Sequence, residues 1–409
     1  MVTNQCAILI GGMGTRLGLL TRQTPKPLLR VADTPFLEVL IQEAVRRGFH
    51  DIVLLAGYQP RVVEQYAAAL RGRLPADCQV RVSVEGEPLG TGGAVRNARD
   101  LLAETFLLLN GDTWFDFNWL DLLRIANGGC AVAARHVVSG DRHESLSIGP
   151  EGIVEKILPR SVGAGAAVIN GGVYVFRKVE LEGFPDRFSI ESDLLPALIS
   201  RSALRGREYD GFFLDIGVPE TFAAAQTEIP SQRRRPAVFF DRDGILNHDD
   251  RYVGSIDRVR WIDGAKEAIR LANDLGYYVF VVTNQAGVAR GLYDEEAVQG
   301  VHRWMADELR EQGGYVDDWR YCPFHPDAEI EHYRAVHPWR KPQPGMILDL
   351  LERWPVDASR SVLFGDQESD CAAARAAGVQ PFLFRGGDLL SFVAERLRPI
   401  VRKQNASRQ

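Results

Sequence analysis

Residues 9–29 read LIGGMGTRLGLLTRQTPKPLL: an apolar run, then Gly11, Gly12 and Gly14 close to Arg16, then Lys26 between two prolines. Glycines that follow a strand leave backbone N–H groups uncovered by side chains, so a phosphate can approach them closely. Arg16 and Lys26 add cations, the second on a backbone stiffened by its flanking prolines. Asp112 in LLLNGD and Asp215 in FFLDIG each close an apolar run beside a glycine. Two carboxylates from separate strand ends can share one Mg²⁺, a hard cation that takes oxygen ligands and keeps phosphates and waters as the rest. That set suits phosphoryl or nucleotidyl transfer.

A second set lies further along. FFDRDGILN (239–247) places Asp241 at a strand end and Asp243 two residues on. A phosphatase that works through an aspartyl-phosphate needs such a pair, one carboxylate to attack phosphorus and one to protonate the leaving alkoxide. VVTNQAG (281–287) offers Thr283 and Asn284 as hydrogen-bond donors to a phosphoryl group, and RKPQPGM (340–346) offers Lys341 to neutralise it. FGDQESD (364–370) offers Asp366 and Asp370 as acid groups near Mg²⁺.

The elements that must carry these residues follow from periodicity. AILI (7–10), DIVLLAG (51–57), TFLLLNGD (105–112), AVAARHV (131–137) and GGVYVF (171–176) read as strands, with amphipathic helical stretches at 36–48 and 62–73. Strand and helix in alternation predict a parallel α/β sheet. The pattern restarts with strands at 237–240, 277–282 and 361–366 and a helix over 263–276, and ligands are expected at the carboxyl ends of these strands. The stretch IPSQRRRP is polar, basic and bounded by prolines, the composition of an exposed linker. The expected division is a first domain at 1–228, a linker at 229–236, a second domain at 237–398 and a frayed tail at 399–409.

At 409 residues the chain is too long for one typical core. Its 45% hydrophobic and 25% charged content is that of a soluble globular protein. A net charge of −6 gives no basic face, so no nucleic-acid role is expected. Five scattered cysteines without CxxC spacing argue for a reducing compartment, and no apolar run approaches the ~18 residues that span a bilayer. With no signal-peptide pattern at the start, the expectation is a cytoplasmic protein that acts on small molecules, with no membrane partner and with homo-oligomerisation open.

The first half resembles the sugar-1-phosphate nucleotidylyltransferases. GGMGTRL (11–17), PKPLL (25–29), EPLGTGGAVRNA (87–98), NGD (110–112), EK (155–156), NGGVYVF (170–176), IESDLLPAL (190–198) and LDIGVPETF (214–222) look like that family's motifs in its order. The resemblance implies a Rossmann-like domain in which a sugar 1-phosphate oxygen attacks the α-phosphorus of a nucleoside triphosphate. Gly11, Gly12, Gly14 and Thr15 would hold the nucleotide, with Leu89 and Gly90 against the base. Arg16 and Lys26 would neutralise charge, and Asp112 and Asp215 would bind Mg²⁺. Glu155, Asn170, Gly171 and Glu191 would meet the sugar, and Lys156 its phosphate. The chain departs from the family with Ile10-Gly11-Gly12 where AGG is frequent, and Thr91-Gly92-Gly93 where TAG is.

The second half resembles the haloacid dehalogenase (HAD) superfamily of phosphatases. DRDG with Asn247, TNQAGVARG (283–291), YCPFHPD (321–327) and RKPQPGM look more narrowly like the D,D-heptose 1,7-bisphosphate 7-phosphatases, with histidinol-phosphate phosphatases as near relatives. By that resemblance Asp241 is the nucleophile, Asp243 the general acid/base, and Thr283 and Lys341 the phosphate clamp. Asp241, Asp366 and Asp243, the last through its carbonyl, would bind Mg²⁺, and Arg340 would contact the sugar or its second phosphate. Those relatives commonly carry a zinc loop with a CPHHP segment and two cysteines before RKP. Here Cys322, Phe324, His325, His337 and Trp339 stand instead, and a metal-free loop is preferred over regrouping of Cys322, His325, His332 and His337 around Zn²⁺.

The two resemblances fit one route. A 7-phosphatase yields a heptose 1-phosphate that a nucleotidylyltransferase consumes, and family precedent implies GTP and the α-anomer, hence GDP-heptose. A mannose- or other hexose-1-phosphate specificity, a histidinol-phosphate specificity, or one half acting as a non-catalytic sensor are the alternatives.

Overall fold

The computed structural model describes residues 2–137, 144–159 and 166–406. The chain forms two compact units, residues 1–232 and 233–409.

Besides a two-stranded ribbon of Arg30–Val31 and Thr34–Pro35, the first unit's strands are β1 Gln5–Leu9, β2 Asp51–Ala56, β3 Gln79–Val84, β4 Thr105–Asn110, β5 Thr113–Phe115, β6 Cys130–Val137, β7 Ser145–Ile148, β8 Val154–Leu158, β9 Ala167–Arg177, β10 Leu204–Glu208 and β11 Phe213–Asp215. Nine of them make one sheet in the order β8-β7-β9-β4-β1-β2-β3, with β6 on β9 and β10 on β6. The expected parallel sheet is present at β4-β1-β2-β3. The sheet as a whole is mixed, because β9 runs antiparallel to β4 and to β6. A strand buried on both faces is apolar throughout whichever way it runs, so its residues did not signal that reversal. Ala7, Val53, Leu108, Val132 and Tyr174 build the core beneath it. β5 pairs with β11, setting Thr113 opposite Asp215.

The stretch 229–236, expected as an exposed linker, holds the division between the two units at 232/233, but it is helical as far as Arg233 and buries Ile229 and Arg235 while Pro230 and Arg234 are exposed. A helix, α1, runs Pro219–Arg233 and passes through Pro230. Ala225 and Ile229 are buried beneath it, and that packing carries the helix past a residue that removes one of its hydrogen bonds.

The second unit has strands β12 Ala237–Phe240, β13 Tyr278–Asn284, β14 Asp318–Cys322, β15 Val362–Gly365 and β16 Gln380–Leu383. They form a fully parallel sheet ordered β14-β13-β12-β15-β16. Helices cover both faces, with Ile269, Met305 and Leu397 in one core and Met346, Leu350 and Ala374 in the other. The chain's last helix spans Leu389–Ala406, so the segment expected to fray from 399 is helical that far, and 407–409 lie outside the described residues. Among the described residues no helix is long and apolar enough to cross a membrane. All five cysteines are free.

Two candidate active sites

The glycine loop leaves the carboxyl end of β1. Gly14 has φ +61°, a left-handed conformation that glycine adopts without steric cost. Thr21 Oγ1 donates to its carbonyl at 3.0 Å, which folds the loop back on itself. The loop borders a cavity of about 630 Å³, whose lining includes Gly11, Gly12, Gly14, Thr15, Arg16, Lys26, Gly90, Asp112 and Glu191.

Asp112 lines this cavity, and Asp215 stands next to it just outside the lining. Ile216 N–H donates to the Asp112 carbonyl at 2.9 Å, which fixes the two strand ends side by side. Burial, and then the Asp112 charge, raise the Asp215 carboxyl above the usual range, while Lys26 and Arg16 work against the rise. Lys26 is buried and ion-paired with Asp112. Two carboxylates side by side at the edge of this cavity are a donor set that a hard divalent cation fits.

The residues expected to meet the sugar and its phosphate are placed less directly. Glu191 accepts from Thr91 Oγ1 at 2.8 Å at the cavity wall. Asn170 donates to Tyr174 OH at 2.7 Å and accepts from Gly172 N–H at 3.0 Å. Gly171 is packed beneath the Phe115 ring, Glu155 accepts from Ser147 Oγ at 3.3 Å, and Lys156 is exposed on β8. These four, like Leu89 and Asp215, are not among the residues that line the cavity. Leu89 instead donates its N–H to Glu85 at 2.9 Å. Glu85, which the sequence reading passed over, faces the cavity with its carboxyl raised by burial.

The departure at Thr91-Gly92-Gly93 has a steric reason. A Cβ on Gly92 would lie 2.3 Å from the Phe188 ring, which stacks on Phe184 at 4.7 Å between centroids. A methyl group and this aromatic pair cannot occupy the same space.

The second site gathers at the carboxyl ends of β12, β13 and β15 around a cavity of about 460 Å³. Asp241, Asp243, Thr283, Asn284, Arg340, Lys341, Asp366 and Asp370 all contribute to its lining. Lys341 Nζ is buried between Asp241 (2.8 Å) and Asp370 (2.7 Å) and donates to the Val282 carbonyl at 2.9 Å. Burial opposes its charge, but Asp241 and Asp370 outweigh that and hold its pKa up. Asp241 is itself pushed up to about 8 by burial, with Lys341 opposing and Asp370 adding. Carboxylate oxygens of Asp241, Asp366 and Asp370 lie within 4.8 Å of one another. A carboxylate triplet this close, only partly balanced by Lys341, fits a magnesium ion. Asp370 thus joins Asp241 and Asp366, while the Asp243 carboxylate turns away to Arg242, Asn247 and Gln285.

Asn284, expected to donate to a phosphoryl group, uses its amide on the Lys341 backbone, donating to its carbonyl at 3.1 Å and accepting from its N–H at 3.0 Å. It holds the RKP segment in place. The four residues weighed as a zinc set are engaged elsewhere. Burial raises the Cys322 thiol away from the thiolate that zinc requires. His325 and His337 each accept a backbone N–H at Nδ1, from Asp327 (3.0 Å) and Trp339 (3.1 Å). His332 lies edge-on to Tyr333, and His337 stacks on Phe324 at 4.3 Å. Among the described residues they form no ligand group.

Against known proteins, residues 6–232 match the nucleotidyl transferase family model, and residues 338–396 match a HAD-hydrolase-like model. The chain belongs to the nucleotidyl transferase family. A D-glycero-beta-D-manno-heptose-1,7-bisphosphate 7-phosphatase of Rhodopseudomonas palustris is 52% identical over 167 residues, 41% of this chain and 93% of the relative. A D-glycero-alpha-D-manno-heptose-1,7-bisphosphate 7-phosphatase of Burkholderia mallei is 42% identical over 143 residues, 35% of this chain and 76% of the relative. A crystal structure of HddC from Yersinia pseudotuberculosis complexed with GMP-PN is 29% identical, with a TM-score of 0.49, over 55% of this chain and 99% of that one. The protein is accordingly a nucleotidyltransferase joined to a HAD phosphatase, two enzymes in one polypeptide.

Proposed function

We propose that the second unit removes the 7-phosphate of D-glycero-α-D-manno-heptose 1,7-bisphosphate, and that the first unit transfers GMP from GTP to the resulting heptose 1-phosphate. One observation carries the reading. A relative 52% identical to part of this chain is a heptose bisphosphate 7-phosphatase, and removing phosphate 7 leaves a sugar 1-phosphate, the substrate class implied for the first unit.

In the phosphatase step an Asp241 carboxylate oxygen attacks phosphorus and the bond from phosphorus to O7 breaks. Asp243 delivers a proton to the departing alkoxide. Water, losing a proton to Asp243, then attacks the aspartyl-phosphate, releasing inorganic phosphate and restoring the Asp241 carboxylate. Thr283 and Lys341 hold the phosphoryl oxygens. Mg²⁺ on Asp241, Asp366 and Asp370, with the Asp243 carbonyl, would offset phosphoryl charge. In the transferase step the sugar 1-phosphate oxygen bonds to the α-phosphorus as the bond to the pyrophosphate oxygen breaks. Arg16 and Lys26 offset the charge on the departing pyrophosphate, and Mg²⁺ on Asp112 and Asp215 would polarise the α-phosphate. Five free cysteines support a reducing cytoplasm as the setting.

The relative from Rhodopseudomonas palustris is named for the β-anomer, which makes β the specific second reading. The test measures phosphate release by the full-length protein from both anomers of the bisphosphate and from histidinol phosphate, and pyrophosphate release from each of four nucleoside triphosphates with heptose and mannose 1-phosphates. Preference for the α-bisphosphate, GTP and heptose 1-phosphate supports the proposal; preference for mannose 1-phosphate or histidinol phosphate overturns it.

A further inference from the structure

Asp243 can protonate a leaving alkoxide only if its carboxylate is aimed beside the phosphoryl group, and most of the groups that aim it lie outside the motif pair. Arg242, fully buried between the two aspartates, folds its guanidinium back onto Asp243, with Nη2 at 2.9 Å from Oδ2 and 3.1 Å from Oδ1. The same Nη2 reaches the Val253 carbonyl at 2.6 Å and Gln285 Oε1 at 3.1 Å. Asn247 donates to Asp243 Oδ1 at 2.8 Å from the other side.

Gln285 joins these parts. Its Nε2 donates both to Asp243 Oδ2 (2.8 Å) and to Thr283 Oγ1 (2.9 Å), while its Oε1 accepts from Arg242 and from Tyr293 OH (2.9 Å). The amide orientation is set by chemistry, since guanidinium and phenol donate on one side and a carboxylate, which only accepts, lies on the other. Because Thr283 Oγ1 accepts from Gln285, its own hydroxyl hydrogen is free to turn towards a phosphoryl oxygen. Gln285 is 1% exposed and its backbone N–H donates to the Cys322 carbonyl at 2.8 Å, so the side chain starts from a fixed point.

We infer that Gln285 is a positioning residue for the phosphatase reaction: its carboxamide, braced by Arg242 and Tyr293, holds the Asp243 carboxylate beside the oxygen of the leaving alcohol. This rests on the general-acid role of Asp243 proposed above. Geometry of this kind matters most when the leaving group needs a proton. Alkyl phosphates leave as strongly basic alkoxides, whereas p-nitrophenolate leaves without help. A displaced Asp243 therefore penalises the first far more than the second.

The experiment compares kcat/KM of the full-length protein and its Gln285→Leu and Gln285→Glu variants on two esters, heptose 1,7-bisphosphate and p-nitrophenyl phosphate. If the parent does not hydrolyse the heptose ester, the substrate reading has failed and a hexose 6-phosphate serves as the alkyl ester. Asp243→Asn is run beside them to test the acid role itself. Glutamate keeps the shape of glutamine but turns an oxygen towards Asp243, so it serves if the leucine variant does not fold as judged by its thermal transition. The expected result is a loss at least ~10-fold larger for the alkyl ester than for p-nitrophenyl phosphate, in the same direction as Asp243→Asn. Equal losses on both esters in a folded Gln285 variant, or none, overturn the inference when Asp243→Asn discriminates. If Asp243→Asn does not discriminate, the acid assignment falls and the inference with it.

Discussion

His302 shows how burial alone decides a protonation state. It is buried, stacked on Trp319 at 4.6 Å, with Nε2 at 3.5 Å from Arg242 Nη1. Burial, and then the Arg242 charge, hold its pKa well below the ordinary 6.5, so it is neutral when folded. The unfolded chain takes up a proton there below pH ~6.5. Stability tied to His302 is therefore complete above that pH and falls as pH drops, with a limiting slope of about 1.4 kcal/mol per pH unit. In denaturant titrations of the second unit's transition between pH 7.5 and 5, the parent should lose stability relative to His302→Gln with this slope as pH falls, the comparison cancelling the opposite slope of Asp241, whose raised carboxyl holds a proton when folded. Lys341 offers a companion case. Removing its ammonium by Lys341→Met leaves Asp241 and Asp370 buried and uncompensated, at a cost of about 3–5 kcal/mol, while the first unit's melting transition stays in place. Asp241, Asp243 and Asp366 were legible as acids from their places at strand ends. Arg242 and Gln285 sat inside quoted motifs, but only folding turns them onto Asp243, a contact that spacing along the chain does not encode.

At the scale of elements, strand ends were the dependable signal and strand direction was not. Apolar runs ending in glycine and aspartate marked β1, β4 and β12, where both candidate sites lie. The antiparallel entry of β9 and the helical passage through Pro230 depended on tertiary packing, of β9 against β4 and β6 and of the buried Ala225 and Ile229 on the helix. The Gly92–Phe188 contact gives a direct test of such packing. Gly92→Ala should destabilise the first unit by about 1–3 kcal/mol, and adding Phe188→Leu should recover part of that, a coupling that a double-mutant cycle reads from thermal melts. The expectation of a metal-free loop around Cys322, Phe324, His325 and His337 makes a further prediction. Exhaustive treatment with a zinc-selective chelator should leave phosphatase turnover unchanged, while EDTA should abolish both activities until Mg²⁺ is restored. Loss of turnover with the zinc chelator alone would reinstate a metal in that loop.

At the scale of the molecule, the two sites belong to separate units with separate cores, so each chemistry should be removable alone. Asp112→Asn should remove nucleotidyl transfer and spare phosphate release, and Asp241→Asn should do the reverse. The most direct measurement incubates the full-length protein with D-glycero-α-D-manno-heptose 1,7-bisphosphate, GTP and Mg²⁺ and identifies the products by mass. The predicted result is GDP-heptose with one phosphate and one pyrophosphate released per molecule; Asp241→Asn should form it only when heptose 1-phosphate is supplied. Phosphate release without any sugar nucleotide, or a sugar nucleotide made only from another sugar 1-phosphate, would contradict the account.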